Sequence, residues 1–164
     1  MNKHFDHLVQ FQNRIVRGIN LDYGPAQELK DAEPLGIQLE FQEIDNLLAI
    51  HLDLSTDAIG IQVSPKSESH PKSHRSSGPS FSRLAGQPLK HLFMDYRASP
   101  KLALSSNFPG TAIDLTIRSA YLQFQNYQLE VTDTFAISQI AKNAINVPDG
   151  PPLFPDRCIW TFLE

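Results

Sequence analysis

The densest run of chemically capable side chains is His51-Leu-Asp53-Leu-Ser55-Thr56-Asp57. An imidazole beside carboxylates and a hydroxyl is the raw material of a hydrolase or a metal-assisted enzyme, with His51 as base and Asp53 or Asp57 as its orienting partner. The surrounding sequence withholds the rest. No Gly-x-Ser-x-Gly holds a nucleophile on a strained turn. Asp53-x-Ser55-x-Asp57 also has the alternating oxygens that open a calcium loop. Ala58 stands where an EF-hand needs glycine, and Ser64 where it needs a bidentate glutamate. The simpler reading is a turn whose polar side chains bond the local backbone, beside an outward-facing strand histidine.

The other candidates are thinner. His70 and His74 have zinc-ligand spacing but no further Cys or His nearby to complete four-coordination. His4 and His7 lie three apart near a chain terminus. Cys158 is the one cysteine, which excludes an internal disulfide, and Arg157 alone is a poor activator of a thiol. Phe93, Tyr96, Tyr121, Phe124 and Tyr127 could stack bases, but Arg97 and Arg118 are the only nearby basic residues, so core packing explains these rings more cheaply. There is no glycine-rich phosphate loop and no His-Glu-x-x-His. The expectation is no catalytic residue, no metal and no cofactor.

Charge carries the positive signal. The net charge is −4, yet from Asp22 to Asp57 nine carboxylates face Lys30 alone, whereas Lys66, Lys72, Arg75, Arg83 and Lys90 outnumber Glu68 between Ser64 and His91. An acidic face repels phosphate and selects a basic protein partner. The leading expectation is therefore a non-enzymatic binding or protein-interaction module, of the kind a small inhibitor or immunity-type protein represents. Its partner-binding candidates are Glu40, Glu43, Asp45, Asp53 and Asp57, with nucleic acid not expected as a ligand. The rival expectations are the enzyme built on His51 and a homo-oligomeric structural protein pairing through an edge strand such as Cys158 to Leu163. No apolar run approaches the length of a membrane span and the first residues lack an apolar signal core, so neither a membrane partner nor export from the cytoplasm is expected.

What must position these residues is a series of strands. Ile37, Leu39 and Phe41 alternate with polar neighbours; so do Leu48, Ile50, Leu52 and Leu54, then Ile59, Ile61 and Val63. Short turns between them favour antiparallel pairing. Upstream, Phe5, Leu8, Val9 and Gln12 suggest a short helix through about Gln12, before a strand from Arg14 to Tyr23 that stops at Gly24-Pro25. Residues 64–82 read as a flexible Ser/His/Pro-rich loop. Beyond it, strands are expected over Leu89–Arg97, Ala112–Arg118, Tyr121–Val131 and Thr134–Ile140, then a helical turn at Ala141–Ile145, an extended Pro-rich stretch, and a last strand from Cys158 to Leu163.

Together these imply a single domain over 1–164, mainly β, or α+β if the helix is real. Its antiparallel sheets would form a sandwich or a partly closed barrel, and two repeated four-stranded halves, 14–63 and 88–140, are one route to it. Ile37–Phe41 resembles Ile113–Ile117 and Thr56–Ile61 resembles Thr132–Ile137, both 76 residues apart, while Leu21-Asp-Tyr23 resembles Met94-Asp-Tyr96 at 73. At that spacing Leu129 and Val131 need a one-residue bulge to turn inward.

Overall fold

The computed structural model describes residues 3–23, 33–53, 55–56, 58–65, 74–76, 81–102, 111–140 and 157–162. A 3-10 helix (Lys3–Phe11) leads into strands β1 (Val16–Asp22), β2 (Gly36–Phe41), β3 (Asn46–Asp53), β4 (Ala58–Pro65) and β5 (His74–Ser76). A 3-10 turn (Phe81–Leu84) leads into β6 (Leu89–Leu102), β7 (Thr111–Phe124), β8 (Tyr127–Val131), β9 (Phe135–Gln139) and β10 (Arg157–Thr161). Every pairing is antiparallel, and the order β10-β6-β7-β4-β3-β2-β1-β5 curls into a half-barrel. Strands β8 and β9 branch from β7. The mainly β architecture expected from alternation is what the chain adopts.

The N-terminal segment is not the α-helix that the apolar spacing suggests. Phe5, Leu8 and Phe11 are the buried side chains, three apart, while Val9 is 44% exposed. A 3-10 helix stacks i over i+3, so a single apolar stripe of period three favours it over an α-helical face. That stripe anchors the far end of the chain: Phe5 meets Tyr96 edge-on at 5.1 Å and Trp160 at 5.4 Å, and Phe11 lies 5.0 Å from Phe41. One apolar cluster draws on both halves of the chain, including Leu39 and Ile50 with Leu122, Phe124, Leu129 and Val131. Burial of such side chains contributes about 1.5–3 kcal/mol each.

Three expectations about strands change. Residues 74–76, assigned to the loop, pair with Asn20–Asp22 of β1. From Tyr127 the strand expected at Tyr121–Val131 turns back as the separate strand β8. Its first part and the strand expected at Ala112–Arg118 are one strand, because Arg118 is only skipped between the pairs Tyr96↔Ile117 and Asp95↔Ser119. This shift lets Ile117 and Ala120 both face inward. Strand β6 continues to Leu102, past the expected end at Arg97. The helical turn placed at 141–145 lies outside the described residues.

The backbone repeats its own geometry at a spacing of 73. Gln12 N–H donates to Val9 and Ala85 N–H to Ser82; Arg14 N–H donates to Phe11 and Gln87 N–H to Leu84. Asn13 and Gly86 both have positive φ, 62° and 81°. Strands β1 and β6 both skip one residue, Arg17 and Lys90, against β2 and β7. The two segments also bind each other, through a bridge between Ile15 and Pro88. Asn13 N–H donates to Leu89 and Gly86 N–H to Val16, while Leu89 N–H donates to Arg14 and Val16 N–H to Gln87. Adding or subtracting 73 exchanges the members of each pair, as it does in a two-fold junction. The bridge draws the mouth of the half-barrel together, linking β1 to β6.

Downstream, the hydrogen-bonded register relates Ile37, Leu39 and Phe41 to Ala120, Leu122 and Phe124, 83 apart, because Val16↔Phe41 corresponds to Leu89↔Phe124. Leu48 and Ile50 then correspond to Leu129 and Val131, which turn inward with no bulge. Ile113–Ile117, the stretch at a spacing of 76, pairs instead with Tyr96–Pro100 of β6. Each half adds a fifth strand to its first: β5 on β1, β10 on β6.

The left-handed position at 86 yields a test. Gly86→Val imposes a β-branched side chain at φ 81°, expected to cost about 1–2 kcal/mol by urea denaturation, whereas Asn13→Gly at the corresponding position changes stability by less than about 0.5 kcal/mol.

Candidate functional site

The acidic candidates belong to one hairpin, β2–β3, but not to one point on it. Glu40 projects from the outer side of β2, opposite Leu47, and its carboxylate lies 3.7 Å from Arg17. Glu43 sits in the β2–β3 turn at φ 65°, 3.3 Å from Arg14, with Asp45 exposed beside it. Asp53 is exposed at the opposite end of the eight-residue strand β3, roughly 25 Å away at strand rise. Asp57 lies outside the described residues. Residues that sequence proximity grouped together are thus spread along a ridge, two of them facing arginines, Arg14 just before β1 and Arg17 within it.

The His51 constellation resolves into a turn. Asp53 Oδ1 accepts from the Ser55 backbone N–H at 3.0 Å and from the Ser55 hydroxyl at 2.6 Å. These bonds, chiefly the Ser55 hydroxyl and then Thr56, hold the Asp53 carboxyl below its ordinary value. The Ser55 proton is therefore directed at Asp53 and not at an imidazole. Across the sheet, Thr132 donates to Asp133 at 3.0 Å, a second locally bonded turn.

His51 itself points outward and is exposed, as its position on β3 implies. Its register partners are Gly36 on β2 and Gly60 on β4. The imidazole lies over Gly60, in space that a Cβ there would claim. A Cβ at Gly36 would stand 3.4 Å from the Asp22 Cβ and 3.7 Å from the His51 Cβ. Gly18, Gly36, Ala49 and Gly60 make the outer side of β1–β4 low in relief, with Asp22, Glu40, His51 and Asp53 rising from it. Beside them, the Gln38 side-chain oxygen is buried without a hydrogen-bond partner. This platform was missed by sequence reasoning; the only signal for it was glycine recurring at outward positions of neighbouring strands.

The same positions in the second half carry different chemistry. Gln123 corresponds to Glu40 and Gln128 to Leu47; both amides are buried and bonded to each other at 2.9 Å. Phe93 is buried and stacks on His91 at 5.9 Å, opposite Tyr121. Tyr96 and Phe124 belong to the core, and Tyr127 lies under Arg83 at 5.9 Å. The five aromatic residues therefore do not share one surface. No group of three or more His, Cys, Asp or Glu among the described residues is arranged to hold a metal, and no described helix is long and apolar enough to cross a membrane.

Comparison with known proteins returns no matching family model, no matching curated protein and no matching solved structure.

Two measurements check this geometry. Gly60→Ala should destabilise the fold by displacing the imidazole, and His51→Ala in the same chain should recover most of the loss; a coupling of about 0.5–3 kcal/mol between the two in urea denaturation is expected. The lowered Asp53 carboxyl stabilises the turn fully above the ordinary carboxylate pKa and loses that contribution as pH falls through the folded value. An NMR acid titration should accordingly show the Ser55 amide shifting with Asp53 below the midpoint of an exposed aspartate, and Asp53→Asn should abolish that shift.

Proposed function

We propose that this protein is a non-enzymatic interaction module that receives a basic protein partner along the β2–β3 hairpin, with Glu40, Glu43, Asp45 and Asp53 supplying the charge. The observation that carries this reading is Glu43. It keeps a charged side chain at φ 65°, where glycine sits without strain, and its carboxylate stands 82% exposed at the tip of the hairpin. Holding a non-glycine residue there costs about 1–2 kcal/mol, and such strain is retained at functional positions more readily than elsewhere.

The contrast between the halves supports the same reading. We take the two halves to be copies of one unit, a 3-10 segment followed by five strands, that have diverged in surface charge. Where the first carries Glu40, Asp45 and Asp53, the second carries Gln123, Asn126 and Thr134 at the corresponding places. Carboxylates kept on one copy alone serve something that the shared architecture does not require. Arg14 and Arg17 lie beside two of these carboxylates, and the exposed carboxylates along the hairpin raise a basic partner's on-rate through long-range attraction. Phosphate-bearing ligands are disfavoured on this side for the same reason.

Purified protein used as bait in native lysate tests the proposal. A partner retained at low salt, released at high salt and lost to the combined Glu40→Gln, Glu43→Gln, Asp45→Asn and Asp53→Asn variant is the expected result. Recovery of nothing at either salt, or equal capture by the neutralised variant, overturns it.

A further inference from the structure

Strands β4 and β5 run in the same direction, because every step of the order β4-β3-β2-β1-β5 is antiparallel. The chain leaves β4 at Pro65, beside Asn46, and enters β5 at His74, beside Asp22. These points are four strand spacings apart and at opposite ends of the sheet: Pro65 stands five residues beyond Gly60, the β4 member of the row Asp22, Gly36, His51. At normal strand geometry the straight line between them is about 25 Å, and a path round the ends of the strands is about 36 Å. The nine residue steps from Pro65 to His74 reach about 30–32 Å at full extension. The connection must therefore cross a face of the sheet. The inner face is filled by Leu39, Leu48 and Ile50, none more than 1% exposed, which leaves the outer one.

Exposure on the outer face follows that line. By register it passes over Leu47 and Ala49 on β3, Gln38 on β2 and Asn20 on β1. Leu47 is 3% exposed, although it lies outside the core cluster and its register partners are only Glu40 and Ser64. The Gln38 side-chain oxygen is buried as well. To one side of the line His51, Asp53 and Gln62 are exposed, and to the other Arg17, Glu43 and Asp45. The second half repeats the arrangement. Strands β9 and β10 are likewise parallel, with β8, β7 and β6 between them, and the outward residues Phe93, Gln123 and Gln128 of that half are buried.

We infer that the outer side of β1–β3 is a docking surface for this chain's own residues 66–73, Lys-Ser-Glu-Ser-His-Pro-Lys-Ser, which cross it as nearly extended chain. Lys66 and Lys72 outnumber Glu68 in that segment, while the face beneath carries Asp22 and Glu40, so docking brings opposite charges together. The small residues suit it too. Gly18, Gly36 and Ala49 allow another backbone to approach closely, where larger side chains would lengthen its path beyond nine steps. Glu43, Asp45 and Asp53 stay exposed beside the crossing. The inference therefore stands independently of the basic partner proposed for them.

NMR on the full chain tests it directly. The methyl protons of Leu47 and Ala49 are expected to show nuclear Overhauser contacts with residues 66–73. Contacts with residues 24–32 alone, or with neither segment, overturn the inference. Chain length supplies a second test. Deleting Ser67, Glu68 and Ser69 leaves six steps, a reach of about 20–22 Å, so β5 should part from β1 and its amides should exchange at the rate of open chain. Inserting six Gly and Ser residues after Ser69 should leave β5 paired. A shortened chain that keeps β5 protected, or a lengthened one that loses it, also overturns the inference. Circular dichroism checks that the sheet survives the deletion; where it does not, the methyl contacts of the unaltered chain decide.

Discussion

Where a 3-10 segment gives way to a strand, backbone groups must find partners, and in this chain four hydrogen bonds between 13–16 and 86–89 supply them. Each donor and acceptor there would otherwise be left over where a 3-10 segment gives way to a strand. An unpaired buried backbone group costs about 1–3 kcal/mol. The junction also sets where the apolar faces of the two halves meet: Val16 and Leu89, which flank it, are both almost fully buried. The core cluster, the inward phase of β1 and β6 and the outward exposure of the acidic hairpin all follow from that placement.

The uneven branching at β7 is the main departure from symmetry. Strand β2 has six residues and serves two neighbours, while β7 has fourteen and serves three. Its first part meets β4 and its last part meets β8, with the skipped residue Arg118 between them. A bulge increases local twist, which separates the two neighbours on one edge without a break in the strand. Strand β4 gains its second neighbour there, at Ile59, while among the described residues β9 pairs with β8 alone.

The strands legible in the sequence were those with strict alternation and a buried face. Ile37, Leu39 and Phe41 are all buried, as are Leu48 and Ile50, because an inward face demands apolar residues at every second position. Strand β5 gave no such signal, since a three-residue edge is held by backbone bonds that any side chain allows. In β7 the phase of burial flips across Arg118, from Ile117 to Ala120, so period-two reading splits one strand into two. The acidic residues of the candidate site stand out in the sequence by charge density alone. Their spread along the hairpin, the left-handed backbone at Glu43 and the glycine floor under His51 depend on register and dihedral angles, which composition does not encode.

The bridge between Ile15 and Pro88 places unlike residues on the two sides of a junction that is otherwise self-matching. A seam between two identical polypeptides carries proline on both sides or on neither; here the four junction donors are Asn13, Val16, Gly86 and Leu89, so the ring at Pro88 removes none of them. Because both sides belong to one covalent chain, each is encoded separately. One side can take the rigidity of a fixed ring while the other keeps its N–H, a division of labour that only a continuous polypeptide can hold.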